Sequence, residues 1–337
     1  MGTPRRTGAA DLGRAAADGP QRAGRQRADG PADGGRRAGG MGSGAAEGWR
    51  EVAAGVFQRR YQPFDVTVCA VVGADGIAVV DTRCSLAEAR ELREQLRQLS
   101  AAPVRWVVNT HAHFDHVWGN AEFTAPRQLP PAQLWAHRAA AAAMACSRDG
   151  GDPGATAHKA RLAQDPVWAE RMAELVEVVP EHTVTAAHTL DLGDRELRLL
   201  HPGRGHTDGD LVLHLPDTDT LLVGDLVEQS GPPAFGSDSY PLDWAPTLDA
   251  LLAAAGPETV LVPGHGDPVG TGFVRAQRDR IRAVAAITQA VAEGALRGGE
   301  EAGLPWHRYP LERTADAHDA VQSGVVGKVL IEVGAVG

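Results

Sequence analysis

The chain has 337 residues, 43% of them hydrophobic, which is enough apolar material for one large domain with additions. Its formal net charge of −10 repels a phosphate backbone, so nucleic acid is excluded as an expected partner. No stretch approaches about eighteen consecutive apolar residues, so a transmembrane helix and a membrane partner are excluded as well. Three scattered cysteines and the lack of an apolar signal segment favour a cytoplasmic protein.

Residues 1–44 differ in composition from the rest of the chain. They contain twelve of the forty glycines, no aromatic residue, and Leu12 as their one large aliphatic residue. Such a segment cannot bury enough apolar surface to offset the entropy cost of ordering it. We therefore expect a disordered tail over residues 1–44 and a folded domain over residues 45–337.

The first predicted elements are a β hairpin and a helix. Two β-branched runs, Val66–Val72 and Ile77–Val80, flank the turn sequence Asp75-Gly76, which is a strong hairpin signal. A capping box begins a helix after Ser85, and apolar residues on one face carry it to about Leu99.

The middle of the chain alternates between strands and helices. Val104–Asn109 is predicted as a buried strand, Leu134–Ala136 as another strand, and Arg138–Cys146 as an alanine-rich helix. Residues 147–181 are polar and interrupted by prolines, which predicts a loop-and-helix insertion.

Further strands crowd the second half, followed by helices at about 242–255 and 273–295. The predicted strands are Leu190–Leu192, Leu197–Leu200, Leu211–Leu215, Thr220–Val223 and Val260–Val262. Within the C-terminal region, residues 272–337, Lys328–Val333 is expected to be a last edge strand. Two halves that each combine strands with helices predict an α/β fold, a four-layer αββα sandwich whose core motifs span residues 66–270.

Three histidines and one aspartate fall within six residues directly after a predicted strand. They are His111, His113, Asp115 and His116. Imidazole and carboxylate are ligands of zinc and of similar divalent metals. An apolar core does not collect such side chains, because each would need a hydrogen-bonding partner there. The cluster therefore predicts a metal site.

Three further potential ligands each lie just past a predicted strand. His206 lies in the glycine-flanked turn at 205–209, Asp225 follows Thr220–Val223, and His265 follows Val260–Val262. Since functional residues concentrate on loops that a rigid scaffold positions, we expect these three to join the same site.

In chain order the motifs are a strand ending in Asp81, then HAHFDH (111–116), GHTDG (205–209), GD (224–225) and PGHG (263–266). This ordered set resembles the metallo-β-lactamase superfamily of metallohydrolases over about residues 50–270. The resemblance implies two divalent metal ions, with zinc expected and iron or manganese compatible with nitrogen and oxygen donors. It also implies that Asp81 supports the histidine loop without binding metal. The implied ligands are His111, His113 and His206 for the first ion, Asp115, His116 and His265 for the second, and Asp225 as the bridge.

The resemblance also implies a hydrolase that attacks a small ester, thioester or lactone with a metal-bridging hydroxide, which Asp115 would orient as the catalytic residue. Asp225 stands where one class of zinc β-lactamases carries cysteine, and a bridging carboxylate resembles thioesterases and lactonases instead. Three alternatives remain open. One is a mononuclear iron persulfide dioxygenase of the same fold, another a zinc β-lactamase-like amide hydrolase, and the third a metal-stabilised binding protein without turnover.

The expected partner is a small-molecule substrate, and the sequence does not predict an oligomeric state. Four residues near the motifs are candidates for the substrate pocket: Trp118, His201, Phe235 and Tyr240. Trp118 closely follows the first motif, and His201 precedes His206 by five residues. Tyr240 would polarise a carbonyl group if it aligned with the tyrosine of related lactonases.

Overall fold

The computed structural model describes residues 48–292 and the two strands Trp306–Pro310 and Lys328–Glu332. The predicted tail at residues 1–44 lies outside the described residues. Among the described helices, none combines the length and the apolar character that a membrane crossing needs.

Twelve of the described strands form one mixed sheet. They are β1 (Arg50–Ala53), β2 (Val56–Tyr61), β3 (Val66–Gly73), β4 (Gly76–Val80), β5 (Val104–Val108), β6 (Gln133–His137), β7 (His182–Val184), β8 (Ala187–Asp191), β9 (Glu196–Leu200), β10 (Val212–Leu215), β11 (Thr220–Glu228) and β12 (Val260–His265).

The described helices are α1 (Leu86–Leu96), α2 (Phe114–Val117), α3 (Arg138–Arg148), α4 (Pro153–Leu162), α5 (Pro166–Ala173), α6 (Pro241–Ala254) and α7 (Thr271–Ala292). A 3₁₀ turn covers Asn120–Phe123. The predicted insertion at 147–181 contains α4 and α5.

The strand order along the sheet is β7-β6-β5-β4-β3-β12-β11-β10-β9-β8, with β2 paired to β3 and β1 to β2. The two halves of the sheet meet where His265 of β12 pairs with Val66 of β3. Strands β4 to β7 run parallel to one another, as do β11 and β12. The carboxyl ends of parallel strands lie at one edge, which is where several of the motif residues are found.

The main core lies between the two halves of the sheet. Val71 and Val108 from the first half belong to the same buried cluster as Leu199 and Leu213 from the second. On the outer face of the first half, Leu92 of α1 packs into a second cluster. On the outer face of the second half, α6 and α7 cover a third cluster. The predicted four-layer αββα sandwich is confirmed by this arrangement.

Local sequence explains the start and the end of α1. The Ser85 hydroxyl accepts a hydrogen bond from the Glu88 N–H, as the predicted capping box requires, whereas the return bond to Glu88 Oε2 comes from the Cys84 N–H, one residue before the cap. The helix ends at Leu96, before the predicted Leu99, because the following N–H groups bond three residues back and tighten the last turn.

Two parts of the prediction differ from the structure. The strands β1, β2, β7 and β13 (Trp306–Pro310) were not predicted. Polar residues hide the alternation of a half-buried strand in β1 and β2, and β7, with three residues, is too short to show a pattern. The C-terminal strand β14 (Lys328–Glu332) is no edge strand of the large sheet. It pairs in parallel with β13 (Trp306–Pro310) in a separate two-stranded sheet. A run of β-branched residues indicates a strand, but it does not specify the pairing partner.

Candidate metal centre

The seven predicted ligands converge at the edge where the motif-bearing strands end. They form two groups of imidazole and carboxylate side chains whose potential ligand atoms lie within 4.8 Å of one another in each group. The first group is His111, His113, His206 and Asp225, and the second is Asp115, His116 and His265. Residues from both halves of the sheet therefore build one centre.

Asp225 lies between the two groups. Its carboxylate oxygens are 3.5 Å from His206 Nε2 in the first group and 3.4 Å from His116 Nε2 in the second. His265 Nε2 is 3.2 Å away. A Cβ atom built on Gly264 would lie 1.9 Å from Asp225 Oδ1, so the glycine of the fourth motif is required by this close approach.

Asp81, which follows β4 in a left-handed conformation with φ of 67°, organises the histidine loop from below. Its Oδ2 accepts hydrogen bonds from His116 Nδ1 at 2.8 Å and from the Thr110 hydroxyl at 2.8 Å. That hydroxyl lies 3.0 Å from His111 Nδ1 and, because its own hydrogen points to Asp81, it accepts the imidazole N–H. One carboxylate thus orients two imidazoles through their nitrogens remote from the centre.

The other three histidines are oriented in the same manner. His206 Nδ1 donates to the Ala234 carbonyl at 3.1 Å, and His265 Nδ1 donates to the Phe64 carbonyl at 2.8 Å. His113 is turned around, since its Nε2 donates to Asp238 Oδ2 at 3.0 Å and its Nδ1 lies 2.9 Å from His206 Nε2. In each ring one nitrogen has a fixed partner and the other faces the centre, as in metal sites.

The interior of the centre contains polar atoms without partners. His111 Nε2 and Asp225 Oδ1 are buried and have no hydrogen-bond partner among the described residues. Orphaned buried atoms of this kind are costly, and a cation between them would satisfy both. The nitrogen and oxygen donor set therefore fits divalent metal ions.

The ionisation of the centre reflects its burial and its mixture of charges. Burial, followed by the nearby imidazoles, places the pKa of His111 well below its ordinary value. Burial opposes the charge of Asp225, but the surrounding histidines outweigh it and hold the pKa of that carboxylate well below the usual range. Burial opposes the charge of His265 as well, but Asp225 outweighs it and raises the pKa of that imidazole to about 9. Since metal binds neutral imidazole and ionised carboxylate, binding at this centre would release protons.

Sequence reasoning missed three residues that support the centre. The Thr110 hydroxyl links Asp81 to His111 through two hydrogen bonds. Asp238, in a loop more than a hundred residues away, accepts a hydrogen bond from His113. Glu228 Oε1 accepts the Ala234 N–H at 3.0 Å, and so secures the segment whose carbonyl orients His206. A threonine next to the first motif was a visible signal, whereas nothing in the local sequence marks Asp238 or Glu228.

A cavity of about 820 Å³ opens on the centre. Trp118 and Phe235 line it, together with Phe114 and residues of α4. His201 and Tyr240 are not among the lining residues. His201 stacks on His137 with ring centroids 4.0 Å apart and donates from Nδ1 to the Asp210 carbonyl, which turns it away. The Tyr240 ring lies under the Arg204 guanidinium, 4.4 Å from it.

Comparison with known proteins agrees with the observed fold. The family model described as the metallo-beta-lactamase superfamily matches residues 62–265. Proteins named metallo-beta-lactamase type 2 are similar to the chain: that of Bacillus cereus is 25% identical over 59% of this chain and 66% of its own length, and that of Bacillus sp. (strain 170) is 28% identical over 57% and 63%. The matched region spans just under two thirds of these relatives.

Solved structures show the same fold at lower sequence identity. A metallo-beta-lactamase from Pontibacter korlensis superposes with a TM-score of 0.52 at 19% identity, covering 69% of this chain and 98% of that one. The structure of TMB-1 gives a TM-score of 0.53 at 17% identity, covering 70% and 97%.

Proposed function

Because the chain belongs to the metallo-β-lactamase superfamily, we propose that it is a hydrolase that uses two divalent metal ions, zinc above all, to cleave a small ester, thioester or lactone. The observation that carries this proposal is the position of Asp225, whose carboxylate lies within 3.5 Å of imidazole nitrogens from both ligand groups. A carboxylate so placed can bridge two ions.

Each of the two ligand groups would bind one metal ion. We assign His111, His113 and His206 to one ion, with Asp115, His116 and His265 holding the other and Asp225 shared between them. Metal ions of this kind activate water for nucleophilic attack and polarise the carbonyl oxygen that is attacked. Iron and manganese are also compatible with the same donors.

The chain's own side chains complete the chemistry. Asp115 lines the cavity, and its Oδ2 lies 3.5 Å from His265 Nε2, so this oxygen is placed to accept a proton from the attacking water and to orient it. Trp118 and Phe235 give the cavity apolar surface against which the acyl part of a substrate can pack.

A β-lactam amide is the second candidate substrate. The names of the curated relatives favour it, since three of them are called metallo-beta-lactamase type 2, including one from Bacteroides fragilis that is 33% identical over 28% of this chain and 39% of its own length. The bridging carboxylate favours the ester, thioester or lactone, because one class of zinc β-lactamases carries cysteine at this position.

Metal analysis combined with a substrate panel tests the proposal. The purified protein should contain close to two divalent ions per chain, and a chelator should abolish hydrolysis reversibly. The panel comprises esters, thioesters, lactones and β-lactams, with persulfide-dependent oxygen consumption measured in parallel. Hydrolysis that survives complete metal removal would exclude the proposal, and oxygen consumption by a one-iron protein would favour the dioxygenase alternative.

A further inference from the structure

One wall of the cavity comes from α4, a helix that carries no fully buried residue. Polar bonds fix this wall in place. Asp152 caps the helix by accepting the Gly154 and Ala155 N–H groups. Lys159 Nζ bonds to Glu177 Oε2 at 2.5 Å and to the Ser147 carbonyl at 3.1 Å, which ties the helix to the end of α3.

The charges that line the cavity do not cancel at this wall. Arg161 lines the cavity and has no carboxylate partner within the part of the chain that the structure describes, whereas the other lining cation of this wall, Lys159, is paired. The lining carboxylates outside the metal ligands already have partners. They are Asp152 on its helix N-terminus, Glu177 on Lys159, Glu228 on the Ala234 N–H, and Asp238 on His113.

His158 holds the guanidinium of Arg161 in position. Arg161 Nη2 donates to His158 Nδ1 at 3.1 Å, and because a guanidinium can only donate, Nδ1 acts as the acceptor. The hydrogen of the neutral ring is therefore on Nε2, which is buried without a partner among the described residues. The ring packs on Phe114, with centroids 4.8 Å apart. The cavity wall thus carries a cation without a carboxylate partner among the described residues, and a neutral imidazole fixes its position.

We propose that this wall recognises an anionic group of the substrate, a carboxylate at the far end of its acyl chain, through Arg161 positioned by His158. A carboxylate would complement the guanidinium, which the bond to His158 Nδ1 holds in place and which has further N–H groups to donate. The inference rests on the proposed hydrolase function and adds the substrate class to it: acyl compounds with a free carboxylate rather than neutral ones.

Paired substrates test the proposal on zinc-loaded full-length protein. The probes are para-nitrophenyl hydrogen adipate and its methyl ester, which differ in the charge at the far end of the acyl chain. The wild type should have a higher kcat/KM for the anionic ester. Arg161→Gln should reduce this preference about tenfold, the effect of losing one charge-assisted hydrogen bond. Arg148→Gln, an exposed arginine on α3 outside the cavity, should leave the preference unchanged.

His158 is tested by a conservative rescue. His158→Phe keeps a ring against Phe114 but removes the acceptor for Arg161, so the preference should fall. His158→Gln offers a carbonyl acceptor and should largely restore it. A general loss of activity on both esters, with the ratio unchanged in Arg161→Gln, would overturn the proposal, and so would a wild type without any charge preference.

Failure of the proposed function is recognised separately. If no ester of the panel is cleaved, calorimetric binding of adipate to wild type and Arg161→Gln decides the question. Weaker binding to the variant, by about tenfold, supports anion recognition at this wall. Equal binding would show that adipate is held elsewhere and would overturn the inference.

Discussion

At the scale of single residues, the centre depends on carboxylates that each contact several partners. Asp225 reaches imidazoles of both ligand groups, and Asp81 reaches two histidines, one directly and one through Thr110. A substitution at either position should therefore affect both metal positions and leave most of the packing intact.

Replacing Asp225 should show its bridging role. Asp225→Ala should loosen both ions, so that metal content falls from close to two toward zero. Asp225→Cys should retain zinc better, since thiolate is a good zinc ligand, and should discriminate against iron and manganese. Metal stoichiometry by elemental analysis measures both, with His201→Ala as the control that should keep its metal. Loss of metal in the control alone would require a different ligand assignment.

Asp81→Asn tests the supporting role of that carboxylate. The amide tolerates the left-handed backbone but cannot accept from His116, the Thr110 N–H and the Thr110 hydroxyl together. Zinc affinity should fall about 10- to 100-fold, as for other supporting partners of metal ligands. Competition with a chromophoric chelator measures it. Asp75→Asn, on the exposed hairpin turn, is the matched control, and equal affinities of the two variants would contradict the role.

Asp210 should make stability depend on pH. Burial, opposed by hydrogen bonds from Thr207, raises the pKa of this carboxyl from 3.8 to about 7. Between these values the folded state retains a proton that the unfolded state releases, so this group's contribution to stability falls as pH rises. Asp210→Asn removes that contribution. In denaturant unfolding, the free energy of unfolding of the variant should rise relative to that of the wild type from pH 4 to 7. A difference between the two that does not change with pH would contradict the raised pKa.

At the scale of elements, short local signals set where helices begin. The α1 capping box joins Ser85 and Glu88 at the start of a helix that covers the outer face of the sheet. The insertion helix α4 instead relies on Asp152 at its start and on Lys159 along its length. Apolar packing holds α1 in place, whereas hydrogen bonds and an ion pair hold α4. A polar helix of this kind suits a cavity wall that contacts a charged substrate.

Removing the cap of α1 should cost a measurable part of the stability. Ser85→Ala leaves the Glu88 N–H without its acceptor, and the free energy of unfolding should fall by about 1 kcal/mol. Chemical denaturation measures the change. Ser237→Ala, an exposed serine in a loop, is the control and should be close to neutral. An equal effect of both substitutions would show that the cap contributes nothing specific.

At the scale of the whole molecule, the candidate metal centre takes its side chains from both halves of the sheet. His111 follows β5 in the first half, whereas Asp225 and His265 lie on β11 and β12 in the second. The halves pair directly at His265 and Val66. Metal binding should therefore stabilise the fold as a unit, because the ligands come together only in the folded state.

Metal removal should lower the melting temperature. A ligand present at about a thousand times its Kd stabilises the folded state by about 4 kcal/mol, so the chelated protein should melt clearly lower than the zinc-loaded one. Calorimetry with and without chelator, followed by zinc addition, measures the shift and its reversal. The Asp225→Ala variant is the control and should respond much less. Identical melting of both wild-type forms would contradict a centre that holds the halves together.

The sequence by itself determined the layers and indicated the set of candidate ligands. Periodic apolar residues define α1 and most of the strands, and the ligand motifs follow strand ends, so local patterns were sufficient to expect a common edge. Asp81 was recognisable because it closes a strand in the first motif. These inferences depend on short-range regularities that tertiary contacts reinforce rather than override.

The tertiary structure alone decided which distant groups support and surround that centre. Asp238 meets His113 across 125 residues, and His201 turns to His137 instead of the cavity although it is close to His206 in the chain. The pairing of β14 with β13 could not be predicted from the sequence either, since the pattern of a strand does not specify which strand it pairs with. These contacts join residues that are far apart in the chain. Their positions depend on how the two halves of the sheet pack together, and no short segment of the sequence encodes that packing.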